Sequence, residues 1–398
     1  MPTQATATPV AWRREADGVF KGGGVKGLAL AGALEGFSAH PRWPVDTWVN
    51  VAGASAGAII AAYLAYDRSP NVGAKMVSLL DPARLASFED FPRGRKYLGG
   101  VPRLIAKRGM APGDAFEAWL DGVLGQATFA LTRPEDGSDD WAQSRLKLIA
   151  CDITNRRLLV LPEDLGHYRV PGTRAAIDPA TFPISKAVRM SMSIPYFFEP
   201  VELEQVRDKD PDRPGSLVTI PARPATIVDG GTLSNFPVWL FDKPNPRRPT
   251  FGFNLRGGLN VAEGMNRMIA RLPWPLRVGF DILHTAQDAW DERLTTHSTN
   301  VRTLTVDATI RLRDGSLYPV AATDFTLSQE RQALLVENGR KAATAFLDKF
   351  ELADYVNTFH LSAFHPGGLR PDVVDTHVVD THVVDTHVVD THVVDSAP

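Results

Sequence analysis

The 398-residue chain contains a single cysteine, Cys151, so no intramolecular disulfide can form and no oxidising compartment is required. Cys151 lies in an apolar run, where a buried and unreactive thiol is expected. The chain also lacks a basic excess. Its 43 Lys and Arg residues and 46 Asp and Glu residues give a formal net charge of -3, which argues against a nucleic-acid-binding protein. The sequence has no metal-ligand spacing, and we expect no metal or other cofactor.

The N-terminal residues do not contain the apolar core of a signal peptide. One uncharged stretch, residues 47–66, is long enough to suggest a transmembrane helix. Its Asn50, Ser55, glycines and many alanines fit a buried strand followed by a buried helix better than a lipid-facing span. We therefore predict no transmembrane helix, and we expect the protein in the cytoplasm or at the periphery of a membrane.

Two glycine-rich turns stand out in the first part of the chain. They are Gly22-Gly23-Gly24-Val25-Lys26-Gly27 and Gly53-Ala54-Ser55-Ala56-Gly57. Each follows an apolar run and precedes a helical pattern of small residues, which predicts strand, tight turn and helix. In the second turn, glycines on both sides of Ser55 permit the sharp turn that exposes a nucleophilic hydroxyl above a sheet. The pentapeptide also occurs in turns without catalysis, so it needs support from other residues.

The first turn is suited to binding an oxyanion. Its glycines leave backbone N–H groups free at the start of a helix, and the missing Cβ atoms leave room for a substrate. However, Gly22, Gly24 and Gly27 also fit the dinucleotide fingerprint Gly-x-Gly-x-x-Gly, and Asp46 follows at about the spacing of the ribose-binding acid. A dinucleotide-binding protein is therefore one alternative.

A third motif, Ile227-Val228-Asp229-Gly230-Gly231, places a carboxylate at the end of an apolar strand. A dinucleotide site has no use for this carboxylate, whereas a serine nucleophile needs a base. In this order the three motifs resemble the glycine-rich loop, the nucleophile elbow and the Asp-Gly-Gly of the patatin-like phospholipases. Ser191-Met192-Ser193-Ile194-Pro195 and Asn235-Phe236-Pro237 are also similar to segments of that family. The resemblance extends over about residues 16–350.

The resemblance implies a serine acyl hydrolase that cleaves acyl esters of phospholipids or lysophospholipids through an acyl-enzyme. Ser55 would be the nucleophile and Asp229 the general base and acid, with an oxyanion hole formed by Gly22, Gly23 and Gly24. The other motif residues would shape these turns: Lys26, Gly27, Gly53, Gly57, Gly230 and Gly231. Desolvation near the serine should raise the pKa of the aspartate above its usual value of about 3.9. The expected partner is a lipid at a membrane surface, met transiently.

A Ser-His-Asp hydrolase of the α/β-hydrolase type is the other alternative, using the same serine and aspartate with His284 or His297. Its elbow normally follows several strands, whereas only two predicted strands precede the serine here. No local motif surrounds either histidine, and we therefore expect a dyad without histidine.

The alternation of strands and helices predicts an α/β fold with three layers, α/β/α, and a mainly parallel central sheet. Predicted strands cover residues 18–21, 47–52, 146–153, 157–161, 226–228, 250–255 and 301–305, and predicted helices cover residues 25–38, 56–66 and 330–347. Ser328 is the expected N-cap of the last helix. Polar, turn-rich stretches at residues 133–140 and 207–215 are predicted to be surface loops.

The predicted domain organisation has four parts: a flexible arm (1–15), the hydrolase domain (16–350), a C-terminal extension (351–371) and a disordered tail of Thr-His-Val-Val-Asp repeats (372–398). Four tail histidines could hold a transition metal loosely, but a repeat without function is the favoured interpretation. Basic and aromatic residues between positions 88 and 108 could meet anionic headgroups or form a lid. Two predicted helices within residues 257–298 could pack on a second copy of the chain, so a homo-oligomer is compatible with the sequence.

Overall fold

A nine-stranded sheet lies at the centre of the protein in the computed structural model. The structure describes residues 12–70, 72–82, 106–213, 216–242, 246–258, 278, 301–322 and 324–359. The predicted helices of residues 257–298, the repeat tail and most of the basic aromatic segment lie outside the described residues, as do His284 and His297. All described helices and strands fall within one compact unit, residues 1–364.

The strands follow one another in the chain as β1 (Glu15–Phe20), β2 (Thr47–Ala54), β3 (Gly109–Ala111), β4 (Leu146–Asp152), β5 (Arg157–Leu161), β6 (Tyr168–Arg169), β7 (Tyr196–Phe198), β8 (Val201–Lys209), β9 (Leu217–Asp229), β10 (Thr250–Arg256), β11 (Thr303–Asp307), β12 (Thr309–Arg311) and β13 (Leu317–Pro319). The α-helices in the described part of the chain are α1 (Gly27–Ala39), α2 (Ala56–Tyr66), α3 (Val72–Leu79), α4 (Asp114–Val123), α5 (Ile184–Ser191), α6 (Gln329–Leu347) and α7 (Leu352–Phe359).

The order of strands in the large sheet is β11-β10-β1-β2-β4-β9-β8-β6, and β5 also pairs with β4. Neighbouring strands from β11 to β4 are parallel, whereas the pairings that involve β5, β6, β8 and β9 are antiparallel. The helices between the parallel strands provide the crossovers that such pairing requires. The predicted α/β fold with a mainly parallel central sheet is confirmed.

Alternate residues of the strands enter two hydrophobic clusters, because successive strand side chains point to opposite faces of a sheet. Phe20, Val51 and Leu148 belong to the larger cluster, which also contains apolar residues of helices α1, α2 and α6. Their neighbours Val19, Ala52 and Ile149 belong to a smaller cluster with residues 236–241. Strands β1 and β2, which lead to the first two glycine motifs, and strand β4 are therefore buried on both faces, which accounts for their continuous apolar runs.

Helix α1 begins at the first glycine-rich turn and packs closely against α6. A Cβ atom at Gly32 would overlap the carbonyl of Val336, and one at Gly339 would overlap the carbonyl of Ala29. At Gly36 it would lie 2.6 Å from the Cβ of Ala343. The backbones of the two helices thus approach each other where glycines face the partner helix, and α6 fixes the helix that carries the turn.

Two regions contain regular secondary structure that the sequence did not predict. Residues 207–215 are not only a surface loop, because β8 continues to Lys209 and β9 starts at Leu217 as its antiparallel partner. The charged residues of this hairpin obscured its strand pattern. Helix α7 lies in the stretch assigned to the extension, and its Tyr355 is buried and accepts a hydrogen bond from the Thr250 N–H at 2.8 Å.

The predicted cap of α6 is confirmed, because the Ser328 hydroxyl accepts the Arg331 N–H at 3.5 Å. Within the described ranges, none of the helices combines the length and the apolar character needed to cross a membrane.

Candidate active site

Ser55 lies at the sharp turn between β2 and α2, with φ 52° and ψ -127°. Positive φ is unfavourable for a residue with a side chain, and such strain is typical of functional turns. The flanking glycines are required by close contact, since a Cβ at Gly53 would overlap the carbonyl of Gly57 and a Cβ at Gly57 would overlap the carbonyl of Phe20. The predicted strand, tight turn and helix are therefore all present.

The register of the sheet brings Ser55 and Asp229 together. Strand β2 is parallel to β4 and ends with Ala54 opposite Ile149. Strand β9 is antiparallel to β4 and ends with Asp229 opposite Ala150. Since β5 pairs along β4 from Leu148 to Asp152, it occupies the other edge of that strand. Strands β2 and β9 therefore share one edge of β4 and meet end to end, which places the serine beside the aspartate.

The carboxyl group of Asp229 is buried, and burial raises its pKa to about 7. Hydrogen bonds from the Ser55 side chain and from the Gly231 N–H, the latter at 2.7 Å, oppose this rise by favouring the charged form. The direction of the pKa shift agrees with the expectation from the sequence. Gly230 is needed here because a Cβ would overlap the carbonyl of Ile149 on the neighbouring strand.

Gly22 is held by Asn235, which follows the Asp-Gly-Gly motif. The Gly22 N–H donates to the Asn235 carbonyl at 3.1 Å, and the Asn235 side-chain amide donates to the Gly22 carbonyl at 3.3 Å. A Cβ at Gly22 would overlap the Asn235 side chain and lie 2.9 Å from the Cβ of Ser55. Gly22 thus gives the loop close access to the serine, while its own N–H is already engaged.

The following part of the loop is supported by a segment that comes after β13. Gly24 has φ +57°, and a Cβ there would overlap the carbonyl of Ala322. The same carbonyl accepts the N–H of Val25 at 2.8 Å. Among the described residues, no acceptor is found for the N–H groups of Gly23 and Gly24.

Lys26 and Gly27 lie at the base of this loop. Lys26 is only 7% exposed, and its side chain lies beside the backbone of Gly23 and Gly258 rather than in solvent. At Gly27, a Cβ would meet no atom closer than 3.8 Å, so an alanine would fit. Lys26 therefore packs under the loop, and a glycine at position 27 is not sterically required.

The Ser191-Met192-Ser193 segment contacts both members of the pair. The Ser191 hydroxyl accepts the N–H of Ser55 at 3.0 Å, and the Ser193 carbonyl accepts the N–H of Asp229 at 2.9 Å. The sequence indicated only that this segment resembles part of a family. Its position could not be read from the sequence, because the first of these bonds joins residues that are 136 positions apart.

The structure contradicts the placement of Asp46 required for a dinucleotide site. Asp46 precedes β2 and pairs with Arg14 at 2.7 Å, at the end of the sheet opposite the glycine-rich loop. A ribose-binding acid lies near the carboxyl ends of the strands, where the loop is. The fingerprint match at Gly22, Gly24 and Gly27 is therefore coincidental.

Among the described residues, two histidines, His40 and His167, lie far from Ser55 and Asp229. His40 follows the last residue of α1, a helix of 13 residues whose length is about 20 Å. Its Nδ1 accepts the Trp43 N–H at 3.1 Å, and its Nε2 lies 3.3 Å from Asp348. His167 directly precedes β6, the edge strand of the sheet, which is separated from β9 by β8, and burial lowers the pKa of His167. Across the described ranges, no group of three or more His, Cys, Asp or Glu side chains is placed to hold a metal ion.

Comparison with known proteins identifies the class. The family model described as patatin-like phospholipase matches residues 18–242, and the chain belongs to this family. It is thus a member of a lipid acyl hydrolase family of the phospholipase type. It is 34% identical to the uncharacterized protein YqhO of Bacillus subtilis, over 84% of this chain and 98% of that protein.

A second relative, the uncharacterized protein R571 of Acanthamoeba polyphaga mimivirus, is 26% identical over 56% of this chain and 60% of that protein. Among solved structures, the protein is similar to VipD from Legionella pneumophila, with a TM-score of 0.41 and 15% identity, over 84% of this chain and 67% of that chain.

Proposed function

We propose that the protein is a serine acyl hydrolase in which Ser55 and Asp229 form a catalytic dyad. The observation that carries the proposal is the end-to-end meeting of β2 and β9, which places a strained serine beside a buried carboxyl group. The pKa of about 7 allows this carboxyl group both to accept and to return a proton near neutral pH. An ordinary surface aspartate would be too weak a base for this task.

In the first step, the Ser55 Oγ attacks the ester carbonyl carbon while Asp229 takes the hydroxyl proton. The tetrahedral intermediate then expels the alcohol, which receives that proton from Asp229, and an acyl-enzyme remains. Water then attacks the acyl carbon while Asp229 takes one of its protons, and the Ser55 oxygen leaves and receives that proton from Asp229, which releases a free fatty acid and restores both residues. The reaction consumes one water and needs no redox partner.

The N–H groups of Gly23 and Gly24 are proposed as the oxyanion donors, because neither has an acceptor among the described residues. Gly22 contributes space beside the serine rather than a donor, since its N–H is engaged by Asn235. Loss of one preorganised donor typically costs about 3 kcal/mol of the barrier. Lys26 and the Ala322 carbonyl are proposed to fix the loop in its shape.

Phospholipids or lysophospholipids are the proposed substrates, met at a membrane surface. Three large apolar side chains are exposed and follow, in the chain, segments that carry or contact the site residues: Ile153 (49%), Tyr196 (36%) and Leu233 (42%). Ile153 follows the last residue of β4, and Leu233 follows the Asp-Gly-Gly motif. We propose that these three side chains form the mouth of the site and contact acyl chains or the membrane interface.

The proposal is tested by treating the protein with a fluorophosphonate and measuring its intact mass, with hydrolysis of a short-chain ester and a phospholipid measured in parallel. The wild type should gain one adduct and hydrolyse both substrates. Ser55→Ala should gain none, and Asp229→Asn should lose activity and react far more slowly. Asp17→Asn is a matched control, because Asp17 is another buried carboxyl group with a pKa raised to about 6. It lies towards the start of β1, whereas the glycine-rich loop follows the end of that strand.

The alternative with a catalytic histidine makes a different prediction. The double variant His284→Gln, His297→Gln should retain activity if Asp229 is the base, and should lose it if a Ser-His-Asp triad operates. Equal activity of Ser55→Ala and wild type would refute both schemes.

A further inference from the structure

Helix α5 and the turn after it reach the site from a part of the chain that carries neither the serine nor the aspartate. Ser191, the last residue of α5, is fully buried and receives the N–H of Ser55 on its hydroxyl oxygen. Two residues later, the carbonyl of Ser193 receives the N–H of Asp229. A single turn of chain thus holds the backbone of both residues at the point where β2 and β9 meet.

This turn is itself fixed by Arg189, which is 3% exposed. Its guanidinium donates to the Ser193 hydroxyl at 2.5 Å and to the carbonyls of Pro112 and Glu199, the latter at 2.7 Å. The Ser193 hydroxyl in turn donates to the Arg189 carbonyl at 2.9 Å. A rigid, planar guanidinium that spans three partners holds the turn to both the strand β3 region and the segment after β7.

We propose that Ser191 is a positioning residue of the dyad, which sets the orientation of the Ser55 hydroxyl towards Asp229 by holding the Ser55 N–H. The inference rests on the proposed function and adds a residue that touches neither the substrate nor the reacting atoms. Arg189 and Ser193 complete the arrangement by holding the turn and the aspartate backbone.

The physical reason is the strain at the elbow. Ser55 has positive φ, a conformation that persists only where surrounding contacts hold it. Its N–H belongs to the peptide group directly before the Ser55 Cα, so a hydrogen bond at this position fixes one of the two peptide planes that meet at the atom carrying the side chain. A displacement of about 1 Å in a reacting group can reduce a rate by about 100-fold.

The test compares Ser191→Ala with Ser185→Ala. Ser185 lies six residues earlier on the same helix, is equally buried, and donates a hydrogen bond to Asp121 at 2.8 Å. Both variants therefore remove one buried hydroxyl and its hydrogen bond from α5, about 9 Å apart along the helix. The measurements are the thermal midpoint, the second-order rate of fluorophosphonate adduct formation at Ser55, and the pH dependence of that rate.

We expect similar thermal midpoints for the two variants, but a 10- to 100-fold slower adduct formation in Ser191→Ala alone. The pH midpoint of the rate should also move upward in Ser191→Ala, because the hydrogen bond from Ser55 lowers the pKa of Asp229 and would be weakened. If Ser191→Ala does not fold, Ser191→Cys, which retains a side chain of similar size with a weaker acceptor, takes its place with the same expected outcome.

Equal rates and equal pH midpoints in the position-191 and position-185 variants would overturn the positioning role, even if Ser55 is labelled in both. Failure of the proposed function has another signature. In that case the wild type takes no adduct at Ser55, and the positioning role falls with it.

Discussion

Ala54 and Asp229 occupy neighbouring positions along one edge of β4, opposite Ile149 and Ala150. The parallel strand β2 pairs with the first half of β4 and the antiparallel strand β9 pairs with the second half, so the two strands meet at their carboxyl ends. The residue after Ala54 is the serine, and the last residue of the second strand is the aspartate. This arrangement brings together two residues that lie 174 positions apart in the chain, and it is the geometry on which the proposed dyad rests.

The rate of reaction with a fluorophosphonate, and kcat/KM for a soluble ester, should rise with pH, reach half of the maximum at about pH 7 and level off at higher pH. The reason is that the base must be ionised, and burial raises the pKa of Asp229 to about 7. A pH series from 5 to 9 would check this. The midpoint should persist in the His284→Gln, His297→Gln variant, which would exclude these two histidines as its source. A rate that is already maximal at pH 5 would contradict the assignment.

Asp229→Asn should stabilise the folded protein while it abolishes activity. The folded state binds the proton of Asp229 more tightly than the unfolded chain, because its pKa rises from 3.8 to about 7. Folding is therefore penalised as pH rises above about 4, and the penalty is complete above about pH 7. The free energy of unfolding of the variant should exceed that of wild type by roughly 2–4 kcal/mol at pH 8, and the difference should shrink towards pH 4.

Urea unfolding at several pH values would measure this difference. Asp136→Asn is a suitable control, since Asp136 is an exposed aspartate whose pKa is lowered by hydrogen bonds from Ser138. That variant should show no gain at high pH. A pH-independent difference for Asp229→Asn would mean that the carboxyl group is not the cause of the penalty.

Gly339→Ala should destabilise the protein, because the added Cβ would overlap the Ala29 carbonyl where α6 packs on α1. Overpacking of this kind typically costs about 1–3 kcal/mol. Gly122→Ala is the matched control, since Gly122 lies in α4 with nothing within 4 Å of the added atom. There the better helix propensity of alanine should leave stability unchanged or raise it by up to about 1 kcal/mol. Thermal unfolding of both variants would test the contrast, and equal effects would contradict the close approach of α1 and α6.

Much of the site could be predicted from the sequence because its turns are specified locally. Glycines around Ser55 and an apolar run before Asp229 indicate the strand ends, and the predicted bounds of α2 and β5 agree with the structure. The sequence could not show that β9 enters the sheet on the same edge as β2, because register depends on pairing between distant strands. The contact of Ser191 with Ser55 was equally hidden, since a hydroxyl that accepts a distant N–H has no local sequence pattern.

For Asp46, the sequence suggested a contact that the structure does not have. Its spacing from the glycines matched a dinucleotide fingerprint, yet spacing along the chain does not state at which end of the sheet a residue lies. Because Asp46 comes before β2 and the loop comes after β1, two parallel strands separate them by the full height of the sheet. A role of Asp46 at the glycine-rich loop is excluded only because Asp46 precedes its strand, the loop follows its strand, and the two strands are parallel.

Leu233→Ser should weaken the association with lipid vesicles and raise the apparent KM for vesicle-bound phospholipid, with little change in kcat/KM for a short soluble ester. Leu233 is 42% exposed and lies two residues after Gly231 of the Asp-Gly-Gly motif, where the proposed function places the mouth of the site. Leu131→Ser is a closely matched control, because Leu131 is also 42% exposed but lies beside Arg145, just before the other end of β4. Vesicle co-sedimentation and hydrolysis assays would compare the two variants. Equal effects would show that no membrane contact is made at the mouth, and a matching loss on the soluble ester would instead mean that Leu233 supports the turn after Asp229.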